Sequence, residues 1–176
     1  MSRFDAKLLA RALDYVRGPA PPEPWQAGDD ALEIAAALCR RFEGFAARPA
    51  LCPAGVPTIG YGATHYLDGR RVQLTDAPIT REGAERLLRR QLERVYLPAV
   101  LGQCPRLRDE PPARLAAIVD FTFNLGEGAL AASTLRQRIN AGAWDDVPHQ
   151  LRRWVYARGV LLRGLVLRRE AEALLI

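Results

Sequence analysis

Lysine is almost missing from this chain: Lys7 is the only one among 25 Lys and Arg residues in 176. Histidine is nearly as scarce, with His65 and His149 alone. The three cysteines, Cys39, Cys52 and Cys104, are odd in number and form no CxxC pair. That argues against a disulfide framework and against a zinc site, so neither metal nor cofactor is expected. No apolar run reaches about 18 residues, which excludes a transmembrane helix and stable membrane insertion. Residues 1–18 contain Asp5 and Asp14 and lack the apolar core and cleavage site of a signal peptide, so synthesis in the cytoplasm is the expectation. The net charge is +5. There is nevertheless no basic patch interleaved with aromatics and no helix-turn-helix or RNA-binding motif, and nucleic acid is not expected as a partner. An anionic polymer suits the charge equally well.

What remains is an ordinary globular composition, 49% hydrophobic and 26% charged, enough for one domain with a sizeable core. Phe4, Leu8, Leu9, Ala12, Leu13 and Val16 repeat at helical spacing, so residues 4–16 read as a short amphipathic helix. Residues 18–28 carry four prolines and read as an extended linker. Residues 1–28 are therefore an extension, and 29–176 the domain. There is no internal repeat.

The densest stretch is 40–62, RRFEGFAARPALCPAGVPTIGYG. Leu32, Ile34, Ala35, Leu38 and Phe42 predict a helix that ends in Glu43 and stops at Gly44. A helix C-terminus carries partial negative charge, which together with Phe42 and Phe45 favours a protonated carboxyl there. A protonated acid at working pH is what general acid catalysis requires. Pro53, Gly55 and Pro57 mark a turn, and Gly60-Tyr61-Gly62 alternates glycine with a β-former, a sign of close approach by a ligand or another backbone.

RFEG, CPAGVPTIGYG and, later, DFTFNLG and GLVLRREAE stand in one order from residue 31 to the last. In that order they resemble the phage-type endolysins of glycoside hydrolase family 24, a family of muramidases. The resemblance implies an α+β, mainly α, lysozyme-like fold. A small antiparallel β-hairpin lobe and a larger helical lobe would be joined by a long helix, with a cleft between. It implies cleavage of the β-1,4 bond between N-acetylmuramic acid and N-acetylglucosamine in peptidoglycan. It also implies action on the cell wall in the periplasm, after release from the host cytoplasm through a holin, by a monomer.

The catalytic pattern that the resemblance carries is Glu, then Asp or Cys nine residues on, then Thr six further, and it falls on Glu43, Cys52 and Thr58. Glu43 would be the general acid, and Thr58 would place a water. Two roles are open to Cys52: thiolate nucleophile or base, or a passive occupant of the site. A thiol ordinarily titrates near pH 8.5, so it would need activation to act as thiolate. Tyr61, Gly62, His65 and Arg163 are candidate substrate-binding residues; the family's usual histidine position is Ala63 here, with His65 two residues on. The alternative to an enzyme is a non-catalytic peptidoglycan-binding or tail-associated phage protein on the same fold.

Elsewhere, residues 51–72 predict a small antiparallel sheet with a turn at Asp68-Gly69. Thr80 caps a helix over 81–97 that Pro98 ends or kinks. Residues 113–125 read as a buried helix closed by Gly126, with Asn124 capping its end. Further helices are expected over 133–141, 145–155 and 164–175. Arg163, Arg168 and Arg169 on the last of these read as a solvated face, although the resemblance brings that stretch toward the cleft, where an arginine could pair with a carboxylate.

Overall fold

The computed structural model describes residues 30–52 and 55–176, so the expected N-terminal helix and linker lie outside the described residues. Helix α1, Ala31–Glu43, starts at Asp30, whose side chain accepts from the Leu32 N–H at 3.0 Å. It ends at Gly44, where φ is +70°. Its buried face is mostly small, with Ala31, Ala35, Ala36 and Cys39 beside Ile34 and Leu38. Small side chains let α1 lie close against α4, Pro112–Leu125, the buried centre of the helical lobe. Ile118, Val119 and Phe121 of α4 are fully buried. Each such side chain contributes about 1.5–3 kcal/mol of apolar burial.

Along the chain the small lobe follows α1. Strand β1, Ala46–Leu51, pairs antiparallel with β2, Pro57–Gly60, in the register Ala50↔Thr58 and Leu51↔Pro57. The register slips between Ala46 and Ala50, where Pro49 has no N–H to give the ladder. The sheet thus begins before the expected residue 51 and is completed by isolated bridges at Ile59↔Ala63 and His65↔Arg71. The second bridge spans the Asp68-Gly69 turn, with the Arg70 N–H donating to the Asp68 carboxylate and Gly69 at φ +84°.

Thr80 caps as expected, its hydroxyl accepting from the Gly83 N–H at 3.0 Å. The helix it opens does not stop at Pro98. It runs as α2, Arg81–Gln91, then a π-helical turn, Leu92–Tyr96, then α3, Leu97–Gln103. The Leu97 N–H reaches back five residues to the Leu92 carbonyl. That wider turn accommodates a proline that would otherwise crowd the preceding turn, so the chain passes Pro98 without breaking. A 3₁₀ segment, Pro105–Asp109, leads into α4.

Beyond α4 come α5, Glu127–Ala131, α6, Thr134–Ala141, and α7, Val147–Arg152. Ser133 caps α6. The helix expected over 145–155 is shorter, because a second hairpin follows it: β3, Tyr156–Ala157, against β4, Val160–Leu161. Arg158 and Gly159 both take positive φ at its turn, the conformation of a type I′ hairpin. Two-residue strands carry too little alternation to be read in advance. The last helix, α8, Arg163–Ala173, packs on α7 and α4. Among the described residues no helix is long and apolar enough to cross a membrane.

Candidate active site

A cleft of about 550 Å³ opens between the lobes. The end of α1 forms one wall with Glu43 and Gly44. The β lobe forms the other with Cys52, Thr58, Gly60 and Gly62, and Tyr96, Phe123 and Asn124 close the helical side. The three candidate catalytic side chains therefore share one cavity. Gly62 joins them at φ +83°. A Cβ there would lie 3.4 Å from Glu43 Oε2, so the glycine keeps the acid's cleft-facing oxygen uncovered. Cys52 is half-buried and carries a free thiol. Its N–H donates to the Val56 carbonyl at 2.9 Å, and its own carbonyl accepts from the Gly55 N–H at 2.8 Å. Thr58 donates its hydroxyl to the Ala50 carbonyl at 3.3 Å, which leaves the oxygen's lone pairs to accept.

Three other candidates are not in the cavity lining. Tyr61 is 4% exposed and sits behind the wall. Its hydroxyl donates to Glu85 at 2.6 Å and accepts from Arg81 at 3.3 Å, tying the sheet to α2. Burial, and then Glu85, push its phenol up. His65 is half-buried, with Nδ1 3.0 Å from the Thr64 hydroxyl and its carbonyl accepting from Gln91. Arg163 is exposed at the start of α8.

What sequence reasoning missed lies under Glu43. Arg168 and Arg169 do not form a solvated face; they are 3% and 0% exposed. Arg168 Nη1 donates to Glu43 Oε1 at 2.5 Å, while Nε and Nη2 grip the Asp120 carboxylate at 2.8 Å each. The guanidinium lies near the rings of Phe42 and Phe123. Cys39, one turn before Glu43, donates its thiol to Asp120 at 3.3 Å. Burial, then the charge of Asp120, push that thiol well up, which keeps it a donor. Burial alone would raise Asp120, but the charge and hydrogen bonds of Arg168 bring it below the usual carboxylate range. Arg169 donates to Glu172 and, at 3.1 Å, to Asn124. Asn124 thus holds an arginine at the edge of the cleft and does not cap α4, whose Gly126 N–H returns to Thr122. One signal was available: Asp120 is the only acid in the apolar run of α4, and a carboxylate so placed must find a cation.

Comparison with known proteins places this geometry among relatives. The phage lysozyme family model matches residues 40–172. The chain is 32% identical over 142 residues to an endolysin of Acyrthosiphon pisum secondary endosymbiont phage 1, covering 77% of this chain and 89% of that one. Its fold is similar to the endolysin from Escherichia coli O157:H7 phage FAHEc1, with a TM-score of 0.71 at 29% identity, over 86% of this chain and 95% of the other. It is also similar to the muramidase domain of SpmX from Asticaccaulis excentricus, with a TM-score of 0.66 at 28% identity, over 80% and 92%.

Proposed function

The chain belongs to the phage lysozyme family, and on that premise we propose how its cleft cuts peptidoglycan. It is a lysozyme, a muramidase that hydrolyses the β-1,4 bond between N-acetylmuramic acid and N-acetylglucosamine. In our reading Glu43 gives its proton to the glycosidic oxygen as the bond to the anomeric carbon breaks. Positive charge then develops at that carbon, and water attacks it. Thr58 has lone pairs to accept from that water while its own proton is engaged by Ala50. Cys52 stands on the same wall, where the thiol either assists the attack as thiolate or shapes the pocket. Gly60 and Gly62 bring backbone close to the sugar without side chains. The single observation that carries this reading is that Glu43, Cys52 and Thr58 line one cavity.

Synthesis in the host cytoplasm, holin-dependent release and action as a monomer complete the proposal. The test is clearing of permeabilised bacteria by purified variants. Glu43→Gln should lose activity by about 10²- to 10⁴-fold. Cys52→Asp should remain active, and Cys52→Ser should be slower. A Glu43→Gln variant that clears at the wild-type rate sinks the assignment of the acid. A Cys52→Ser variant at the wild-type rate leaves the sulfur no part in the chemistry.

A further inference from the structure

A general acid beside a guanidinium faces a conflict. The cation favours the ionised carboxylate, yet the acid must carry a proton when it acts. Glu43 is in that position, since Arg168 donates directly to its Oε1. The groups around it come from four elements. Arg168 arrives from α8, and Cys39 lies one turn back on α1. Tyr96 faces it from the π-helical turn, and Cys52 lies on the far wall. Behind Arg168 stands Asp120 of α4, with Glu172 and Arg169 of α8 beyond it.

We infer that Asp120 is a positioning residue for the catalytic acid, holding Arg168 by two of its three nitrogens and offsetting its charge so that Glu43 can keep a proton. This rests on the assignment of Glu43 as the general acid. The geometry is specific. Nε and Nη2 are both committed to Asp120, so only Nη1 is left to reach Glu43. The guanidinium plane is thereby set by Asp120, and the acid meets one donor in one orientation. Asp120 is fully buried and Arg168 nearly so, which keeps water from screening the offset. The thiol of Cys39 and the carboxyl of Glu172 also bear on Asp120 and favour its ionised form. Asp120 thus keeps a full negative charge against Arg168.

The experiment is the pH profile of kcat/KM for the full-length chain, for wild type, Asp120→Asn and Cys39→Ala, with thermal melts at each pH. Asparagine keeps the size and one acceptor but removes the charge. Arg168 is then uncompensated, and the alkaline limb of the profile should move to lower pH by about one unit. Well above the limb this reads as about a tenfold loss of rate, and well below it the rate should recover. Cys39→Ala removes only the thiol hydrogen bond to Asp120 and leaves its charge against Arg168, so its limb should move well less than that of Asp120→Asn. A folded Asp120→Asn variant whose rate falls equally at all pH values overturns the inference, because a structural role alone predicts that. If Asp120→Asn does not fold, Arg168→Gln gives the second reading: removing the cation should move the alkaline limb upward, and an unmoved limb counts against the offset. Glu43→Gln separates the two levels. If it stays active, the assignment of the acid fails; if it is dead and the Asp120→Asn limb stands still, only the role of Asp120 fails.

Discussion

On one side of the cleft Glu43 stands over a junction of three helices. Its arginine partner comes from α8, and that arginine is gripped by an aspartate of α4 that also accepts from a cysteine of α1. On the other side Cys52 lies just after β1 and Thr58 on β2, and their own hydrogen bonds run to near neighbours, eight residues away at most. The first wall is over-determined by contacts 48 to 125 residues apart in the chain; around Cys52 and Thr58 the second is made locally. Glu43 therefore has a rigid, buried electrostatic setting. The wall opposite keeps exposed backbone and a free thiol, so it can meet a sugar without disturbing the core.

The largest test of this contrast pairs Arg168→Ala with Thr58→Val. Without Arg168, Asp120 is a buried carboxylate with no cation against it, and stability should fall by about 3–5 kcal/mol. Thr58→Val removes one partly exposed hydrogen bond to Ala50 and should cost about 1 kcal/mol or less, while slowing clearing. Urea unfolding midpoints measure both. Comparable losses from the two variants would mean that the walls are equally structural.

This asymmetry also explains what could be read in advance. Glu43, Cys52 and Thr58 lie within 16 residues, and spacing of that kind survives in a linear reading. So do caps such as Thr80 and Ser133, whose partners lie three residues on. Arg168 has no such local signature, and Asp120 shows only as a lone acid in an apolar run; their pairing becomes necessary only when α4 and α8 meet. Two arginines next to Leu165, Val166 and Leu167 look like a polar edge to an apolar stripe until Glu43 and Asp120, from two other helices, meet Arg168. Pro98 misled for a related reason. A proline does break a regular α-helix, and here the turn before it is π-helical, with Leu92 at its start fully buried in the core.

A smaller effect should appear in how the buried wall responds to pH. Burial pushes the Glu172 carboxyl well up, outweighing the attraction of Arg169, and the charge of Asp120 adds to the rise. Its folded value thus lies above its unfolded one, near 4.3. The folded state holds this proton more tightly, so its contribution is full below about pH 4.3 and is lost as pH rises through the folded value. Asp120 runs oppositely: its folded value is depressed, so its contribution is present above about pH 3.9 and is lost as pH falls. Glutamine at 172 keeps an acceptor for Arg169 and has an N–H to offer Asp120, but has no proton to lose. Melts of Glu172→Gln and wild type from pH 4 to 8 should diverge, with wild type losing ground by at most about 1.4 kcal/mol per pH unit. A gap that stays constant over that range would mean that Glu172 does not change its charge there.

The last and narrowest test falls on Gly62, on the β wall beside Glu43. Gly62 takes φ +83°, where an L-alanine costs about 1–2 kcal/mol. A methyl group would lie 3.4 Å from Glu43 Oε2, close enough to touch without a clash. Oε1 already belongs to Arg168, so Oε2 is the oxygen left to face a substrate. Covering it should slow clearing by about tenfold in Gly62→Ala at temperatures where the variant is fully folded. That loss is larger than the modest strain would bring through unfolding. Gly69 supplies the control: it has nearly the same φ, +84°, and no neighbour within reach of a Cβ. Gly69→Ala should therefore destabilise to a similar degree and leave clearing intact. If both alanines slow clearing alike, strain in the β lobe is the cause and the acid's second oxygen is not what Gly62 protects.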